Sequence, residues 1–122
     1  MTLSKDLLAI EEEIWTGGPE AYQKHMDEKC LVAFKDMSGL ISRKEIMKAA
    51  EKGRWTNVTL NEKGTIALSA ATMIITYECT ANRQDGKPYH ALVSSGYVKR
   101  GEGWKLEFHH HTPLEIKKLT LL

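Results

Sequence analysis

The chain has only two cysteines, Cys30 and Cys79, and three prolines in 122 residues. Two thiols cannot form a disulfide framework, so the expectation is reduced thiols in a cytoplasm. No apolar run approaches the roughly 18 residues that span a bilayer, and no membrane partner is expected. A cationic surplus is missing as well: 17 Lys and Arg stand against 16 Asp and Glu, a net charge of +1. Without a basic run, nucleic-acid binding loses its electrostatic footing. The N-terminal M-T-L-S-K-D-L-L-A-I-E-E-E sets acids inside its first apolar segment. It therefore lacks the uninterrupted apolar region of a signal peptide. Neither Cys-x-x-Cys nor His-Glu-x-x-His occurs, and Gly17-Gly18 and Gly101 to Gly103 do not have phosphate-loop spacing, so no cofactor is expected.

What is present is the composition of an ordinary globular protein, 42% hydrophobic and 27% charged. The length fits one domain over residues 1–122, with no internal repeat or linker. Leu3, Leu7, Ile10 and Ile14 recur at helical spacing, with Lys5, Asp6, Glu11, Glu12 and Glu13 on other faces. This predicts an amphipathic helix ending at Gly17-Gly18. Pro19 suits a first helical position and opens a second, shorter helix. A strand is expected over Cys30 to Phe34. Ser42 and Glu45 have capping-box spacing, so a third helix starts near Ser42 and stops at Gly53.

From Trp55 to Thr112 the chain is rich in Thr, Val, Ile and Tyr, with breaks expected at Asn61 to Gly64, Ser69 to Ala71, Asp85-Gly86 and Gly101 to Gly103. Four antiparallel strands fit. Helices first and a strand meander afterwards is an α+β order. If Asp85-Gly86 is a two-residue turn, Tyr89 faces Asn82 and Val93 faces Glu78. A second such turn at Gly101-Glu102 sets Tyr97 against Leu106 and Val93 against His110. One face, the expected pocket face, then carries Glu78, Tyr89, Val93, Tyr97, Leu106, Phe108 and His110. The other carries Tyr77, Cys79, His90, His109 and His111.

Several segments together resemble a known family: the N-terminal helix ending in W-T-G-G, then G-L-I-S-R-K-E-I, G-R-W, P-Y-H-A-L-V-S-S-G-Y-V-K-R and finally G-W-K-L-E-F-H-H-H-T-P. They look like the SnoaL-like branch of the nuclear transport factor 2-like superfamily. The likeness is greatest to bacterial members with a domain of unknown function, whose last strand commonly reads W-x-L-x-F-H-Q-Q-T-P. In this chain His110 and His111 stand where the two glutamines are usual. The resemblance implies a cone-shaped, cystatin-like α+β fold with N-terminal helices packed on a strongly curved antiparallel sheet. It also implies a pocket at the open end and, often, a dimer. The superfamily includes ketosteroid isomerases, dehydratases, polyketide cyclases and proteins without catalytic activity, so function has to come from the site.

Within the expected register Glu78 and His110 lie two strands apart, roughly 10 Å, and could act from opposite sides of a small ligand as general acid and base. Tyr22, Trp55, Tyr89 and Phe108 would bind it in a partly apolar pocket. The plain alternative is that Glu78 and His110 are hydrogen-bonded or solvated strand residues. His109 and His111 share a face with H-x-H spacing, and His90 and Cys79 are expected on that face too, yet no third metal ligand is fixed, so no metal is expected. The cysteines read as small buried hydrophobes. The expected protein is a homodimer, paired through its sheet, that binds a small organic molecule. The alternatives are a cofactor-free isomerase, dehydratase or cyclase, and a non-catalytic interaction domain.

Overall fold

The computed structural model describes residues 3–51, 55–101 and 103–114. Helix α1 spans Leu3–Gly17 and α2 Pro19–His25, followed by strands β1, Met26–Ala33, and β2, Ser38–Ser42. Helix α3, Arg43–Ala50, leads to four long strands: β3, Thr56–Ser69; β4, Thr72–Asn82; β5, Pro88–Arg100; and β6, Gly103–Pro113. All six strands form one curved sheet in the order β2-β1-β6-β5-β4-β3. Every neighbouring pair is antiparallel except β1 and β6, which run parallel. The α+β expectation therefore holds, with β1 longer than expected from the sequence and β2 an addition to it.

Local chemistry explains the helix boundaries. The Ser42 hydroxyl accepts the Glu45 backbone N–H at 3.2 Å and donates to the Glu45 carboxylate at 3.1 Å, so the cap is made, although the carboxylate takes the hydroxyl instead of the backbone. The expected stop at Gly53 lies outside the described residues. Between α1 and α2 the chain turns at Gly18, whose φ of 70° and ψ of −155° belong to glycine's own region of backbone space. Pro19 then fixes the first helical position.

The register departs from expectation at two points. Arg83 N–H donates to the Lys87 carbonyl and Gly86 N–H to the Arg83 carbonyl, each at 2.8 Å. The β4–β5 loop thus has three residues, Gln84 to Gly86, with Gly86 at φ 86°. Asp85-Gly86 is in the turn but does not constitute it, and the whole pairing slips by one: Tyr89 faces Ala81, Ala91 faces Cys79 and Val93 faces Tyr77. In β6, Tyr97 pairs with Leu106 as expected, but Gly96 pairs with Phe108, leaving Glu107 as an extra, bulged residue. Arg100 holds that bulge, reaching Glu107 at 2.6 Å and Asp27 of β1 at 3.2 Å. Strand β3 runs on through Asn61 to Gly64, where a break was expected, with only a shift of register between Glu62 and Gly64.

These shifts decide which side chains are enclosed. Along β4, Met73, Ile75, Tyr77, Cys79 and Ala81 are buried against the helices, and along β5 so are Ala91, Val93, Ser95 and Tyr97. From the helical side Leu7, Glu11, Ile14 and Trp15 of α1 and Ala21 of α2 close the core. Fully burying a side chain such as Leu7 or Ile75 contributes about 1.5–3 kcal/mol. Gly18→Ala should cost about 1–3 kcal/mol, because a Cβ is strained at that φ and ψ. Urea unfolding of the two proteins measures it, and equal midpoints would mean that the α1–α2 turn relaxes freely.

Candidate functional site

Glu11 is the centre of the enclosed polar groups. It follows Leu7 by four residues and precedes Ile14 by three, so α1 points it into the core with the apolar stripe, where it is wholly buried. Three hydroxyls donate to its carboxylate: Tyr77 and Ser95, the latter at 2.8 Å, to Oε1, and Tyr97 to Oε2. The Trp15 indole N–H donates to the Tyr77 hydroxyl at 2.8 Å. Burial nevertheless raises the Glu11 pKa, with the hydroxyl donors working the other way. Burial, together with the adjacent carboxylate, also pushes the Tyr77 and Tyr97 phenols well above their ordinary value.

From Glu11 the hydrogen bonds continue outward. Ser95 Oγ lies 2.6 Å from His109 Nδ1, His109 Nε2 lies 3.1 Å from His111 Nε2, and His111 Nδ1 lies 3.0 Å from the Tyr89 hydroxyl. His109 is 2% exposed and belongs to the core. Burial lowers its pKa to about 3 and that of His111 to about 2, so both imidazoles are neutral at ordinary pH.

His111 and Tyr89 reach a cavity of about 540 Å³ between the helices and the sheet, lined also by Ile14, Trp15, Tyr22, Phe34, Met37, Ile46, Trp55 and Arg83. Its walls are aromatic. The His111 ring stacks on Trp15 at 5.0 Å between centroids and 8° between planes. Trp55 meets Trp15 at 5.1 Å and Tyr89 at 4.9 Å. The Arg83 guanidinium lies over both Trp55 and Tyr89, 5.0 and 4.9 Å from their ring centres. The volume is in the usual range for a small-molecule site.

Of the residues singled out in the sequence, Tyr22, Trp55 and Tyr89 line this cavity. Glu78, His110 and Phe108 do not. The one-residue slip at the β4–β5 loop carries Glu78 to the outer face, beside Leu92, where its Oε2 is 2.5 Å from His90 Nε2 and its Oε1 3.6 Å from Lys63. That partner imidazole holds the Glu78 carboxyl below the usual carboxylate range. The Glu107 bulge turns Phe108 and His110 outward, and His110 pairs with Ser94, not Val93. Glu78 and His110 are thus not in one row, and the expected acid–base pair across the pocket is not formed. His109 and His111 do share a face apart from His110, as strand alternation requires, but theirs is the enclosed face. His90 lies on the opposite side with Glu78, so the three imidazoles His90, His109 and His111 are not brought together.

Glu11 and Ser95 were missed. The available signal was a carboxylate on the helical stripe of Leu7 and Ile14, which contradicts its assignment to another face. Burial pushes the Cys30 and Cys79 thiols up to about 12, so neither is a nucleophile at neutral pH.

The buried imidazoles set a pH dependence. An unfolded histidine takes a proton near pH 6.5, whereas folded His109 does so only near 3, so below pH 6.5 the unfolded chain binds more protons. Stability then falls with acid by up to about 1.4 kcal/mol per pH unit for this one group. Glu11 acts oppositely: with its folded pKa raised, its contribution is present at low pH and lost as pH rises through that value. In a Glu11→Gln background, urea unfolding from pH 7 to 4 should show His109→Gln flattening the acid limb by about one proton. An unchanged limb would mean that folded His109 accepts a proton in that range.

No family model matches the chain, and no curated protein matches it. Solved structures do. An NTF2-like protein from Cytophaga hutchinsonii is similar with a TM-score of 0.73 and 10% identity, over 93% of this chain and 100% of that one. An NTF-2 like protein of unknown function from Shewanella oneidensis has a TM-score of 0.70 and 14% identity, over 90% and 98%. The association domain of C. elegans CaMKII has a TM-score of 0.67 and 14% identity, over 88% and 90%. At such identities the likeness is one of backbone architecture, and the element order, the curved sheet and the helices that close it agree with that: the chain has the nuclear transport factor 2-like fold.

Proposed function

We propose that this protein binds a small, planar, largely apolar organic molecule in the cavity between its helices and its sheet. The observation that carries this reading is the aromatic wall: Trp15, Trp55, Tyr89 and His111 lie ring to ring around about 540 Å³. Flat rings offer area at little entropic cost, and a planar ligand can stack on Trp55 or Tyr89. Arg83, spread over those two rings, favours electron-rich or anionic character in the bound molecule. The reduced, buried thiols Cys30 and Cys79 suit a reducing compartment, and we place the protein in the cytoplasm.

A second feature favours self-association through the sheet. Leu40, Leu31, Phe108, Gly96, Ile74 and Ile66 are successive partners from β2 across to β3, a transverse row on the outer face interrupted only by a glycine. Leu31, Leu40 and Ile66 are 49%, 64% and 58% exposed. Such a row is self-complementary about a two-fold axis, and an apolar band of this extent suits a contact with a second copy. That the fold also serves the CaMKII association domain is in keeping with this.

Two measurements test these readings. Quenching of tryptophan fluorescence by 4-nitrophenol, a planar probe, should saturate, and Trp55→Ala should weaken its binding by about tenfold, or about 1.4 kcal/mol. Trp104→Phe, outside the cavity, is the control, and equal effects of the two changes would remove the cavity as the binding place. Sedimentation of the wild-type protein should give a dimer and Ile74→Lys a monomer, while a wild-type monomer at high concentration would reject pairing through the sheet.

A further inference from the structure

With Glu11 as the carboxylate, the hydrogen bonds between it and Tyr89 run in one direction. Ser95 then spends its single O–H on Glu11 and accepts from His109 Nδ1. A neutral imidazole has one N–H, so His109 Nε2 is bare and accepts from His111 Nε2–H. His111 Nδ1 is bare in turn and accepts the Tyr89 O–H. Each donor therefore faces an acceptor over five residues from three elements, α1, β5 and β6, without one mismatch. Its outer end, Tyr89, is half-buried in the cavity wall, and its inner end is fully buried.

Resting on the cavity as a binding site, we propose that Tyr89, His111, His109, Ser95 and Glu11 form a proton relay through which a bound phenol or enol gives up its proton to the buried Glu11 carboxylate. In the step the ligand O–H bond breaks and its proton joins the Tyr89 oxygen. The Tyr89 proton passes to His111 Nδ1, the His111 Nε2 proton to His109 Nε2, the His109 Nδ1 proton to Ser95 Oγ, and the Ser95 proton to Glu11. Glu11 ends as a carboxylic acid and the ligand as an oxyanion, with the other four residues neutral throughout. Both histidines exchange tautomers, and neither becomes an imidazolium, which their buried positions would resist. An O–H acid is the matching substrate class because the terminal group is itself a phenol, and transfer between oxygen acids of similar strength has the lowest barrier. Arg83, stacked on the Tyr89 ring, faces the side on which the negative charge appears. Tyr89 is the group in contact with the ligand, and the other four act through it.

The test uses 4-nitrophenol, whose bound absorbance reports whether it is neutral or ionised, with binding followed separately by tryptophan quenching. In the wild-type protein the bound probe should ionise at least one pH unit below the free probe, a tenfold shift in its ionisation constant. On binding, infrared difference spectra should gain a carboxylic-acid carbonyl band. Glu11→Gln should abolish both the shift and the band. Ser95→Ala, which interrupts the relay next to the carboxylate, should abolish them too and decides the matter should the first variant fail to fold. A probe that binds yet stays neutral in the wild type, or ionises equally in Ser95→Ala, overturns the relay and leaves the binding site standing. A probe that quenches neither Trp15 nor Trp55 overturns both.

Discussion

A wholly buried carboxyl group is the constraint on which this fold depends. Leaving Glu11 buried and unpaired would cost several kcal/mol, enough to consume much of the stability of a domain this size. The chain answers with three hydroxyls from two adjacent strands, Tyr77 of β4 and Ser95 and Tyr97 of β5. For those hydroxyls to converge, α1 must cross the sheet at one height and in one rotation. The carboxylate therefore does what apolar contacts do poorly, fixing the helix against sliding along a surface of Ile75, Val93 and Leu106 that would tolerate it. Trp15, one helical turn further on, takes its place through the same network by its bond to Tyr77 and then forms the cavity wall.

The sheet meets this demand through two local irregularities. The three-residue loop after β4 and the bulge at Glu107 each move one strand by one residue, and a one-residue shift exchanges the faces of every side chain beyond it. Without the bulge, Leu106 on the enclosed side would be followed by Phe108 and His110 there, and His109 and His111 would be outside. With it, two imidazoles meet Ser95 and Tyr89, and the outer face gains Phe108. Gly96 sits opposite, and any Cβ there would come within 3.1 Å of the Phe108 Cβ, so the bulged strand also dictates the residue facing it.

How far the sequence was legible follows from the same facts. Helical periodicity, the Ser42 cap, Pro19 and the β-rich second half are local signals, and they specified the α+β order correctly. Tyr22, Trp55 and Tyr89, which line the cavity, were readable as aromatic groups suited to a wall. Register was not, because Asp85-Gly86 fits a two-residue turn and the last two positions of a longer one equally well, and only the pairing of whole strands distinguishes them. The bulge leaves even less trace, since Glu107 is held by Arg100 and Asp27, residues whose proximity is a result of the fold. Glu11 was hidden differently: among Glu12 and Glu13 it looks like surface charge, and only its phase on the helix separates it from them.

The difference between the last strand and the W-x-L-x-F-H-Q-Q-T-P pattern it resembles acquires a physical meaning in that setting. His109 coincides with the histidine of that pattern, and His111 stands where it has a second glutamine. A glutamine at 111 would also bridge His109 and Tyr89, with its amide N–H₂ donating to one and its carbonyl accepting from the other. It would offer the same buried groups a donor and an acceptor, but an amide does not pass a proton from one end to the other near neutral pH, whereas an imidazole does so by exchanging tautomers. The histidine therefore adds nothing to hydrogen-bond satisfaction that glutamine lacks. It costs more, because a second imidazole is buried beside the first, with a pKa lowered to about 2. What it adds is continuity between the cavity and the carboxylate, the one property of this network that stability alone does not require.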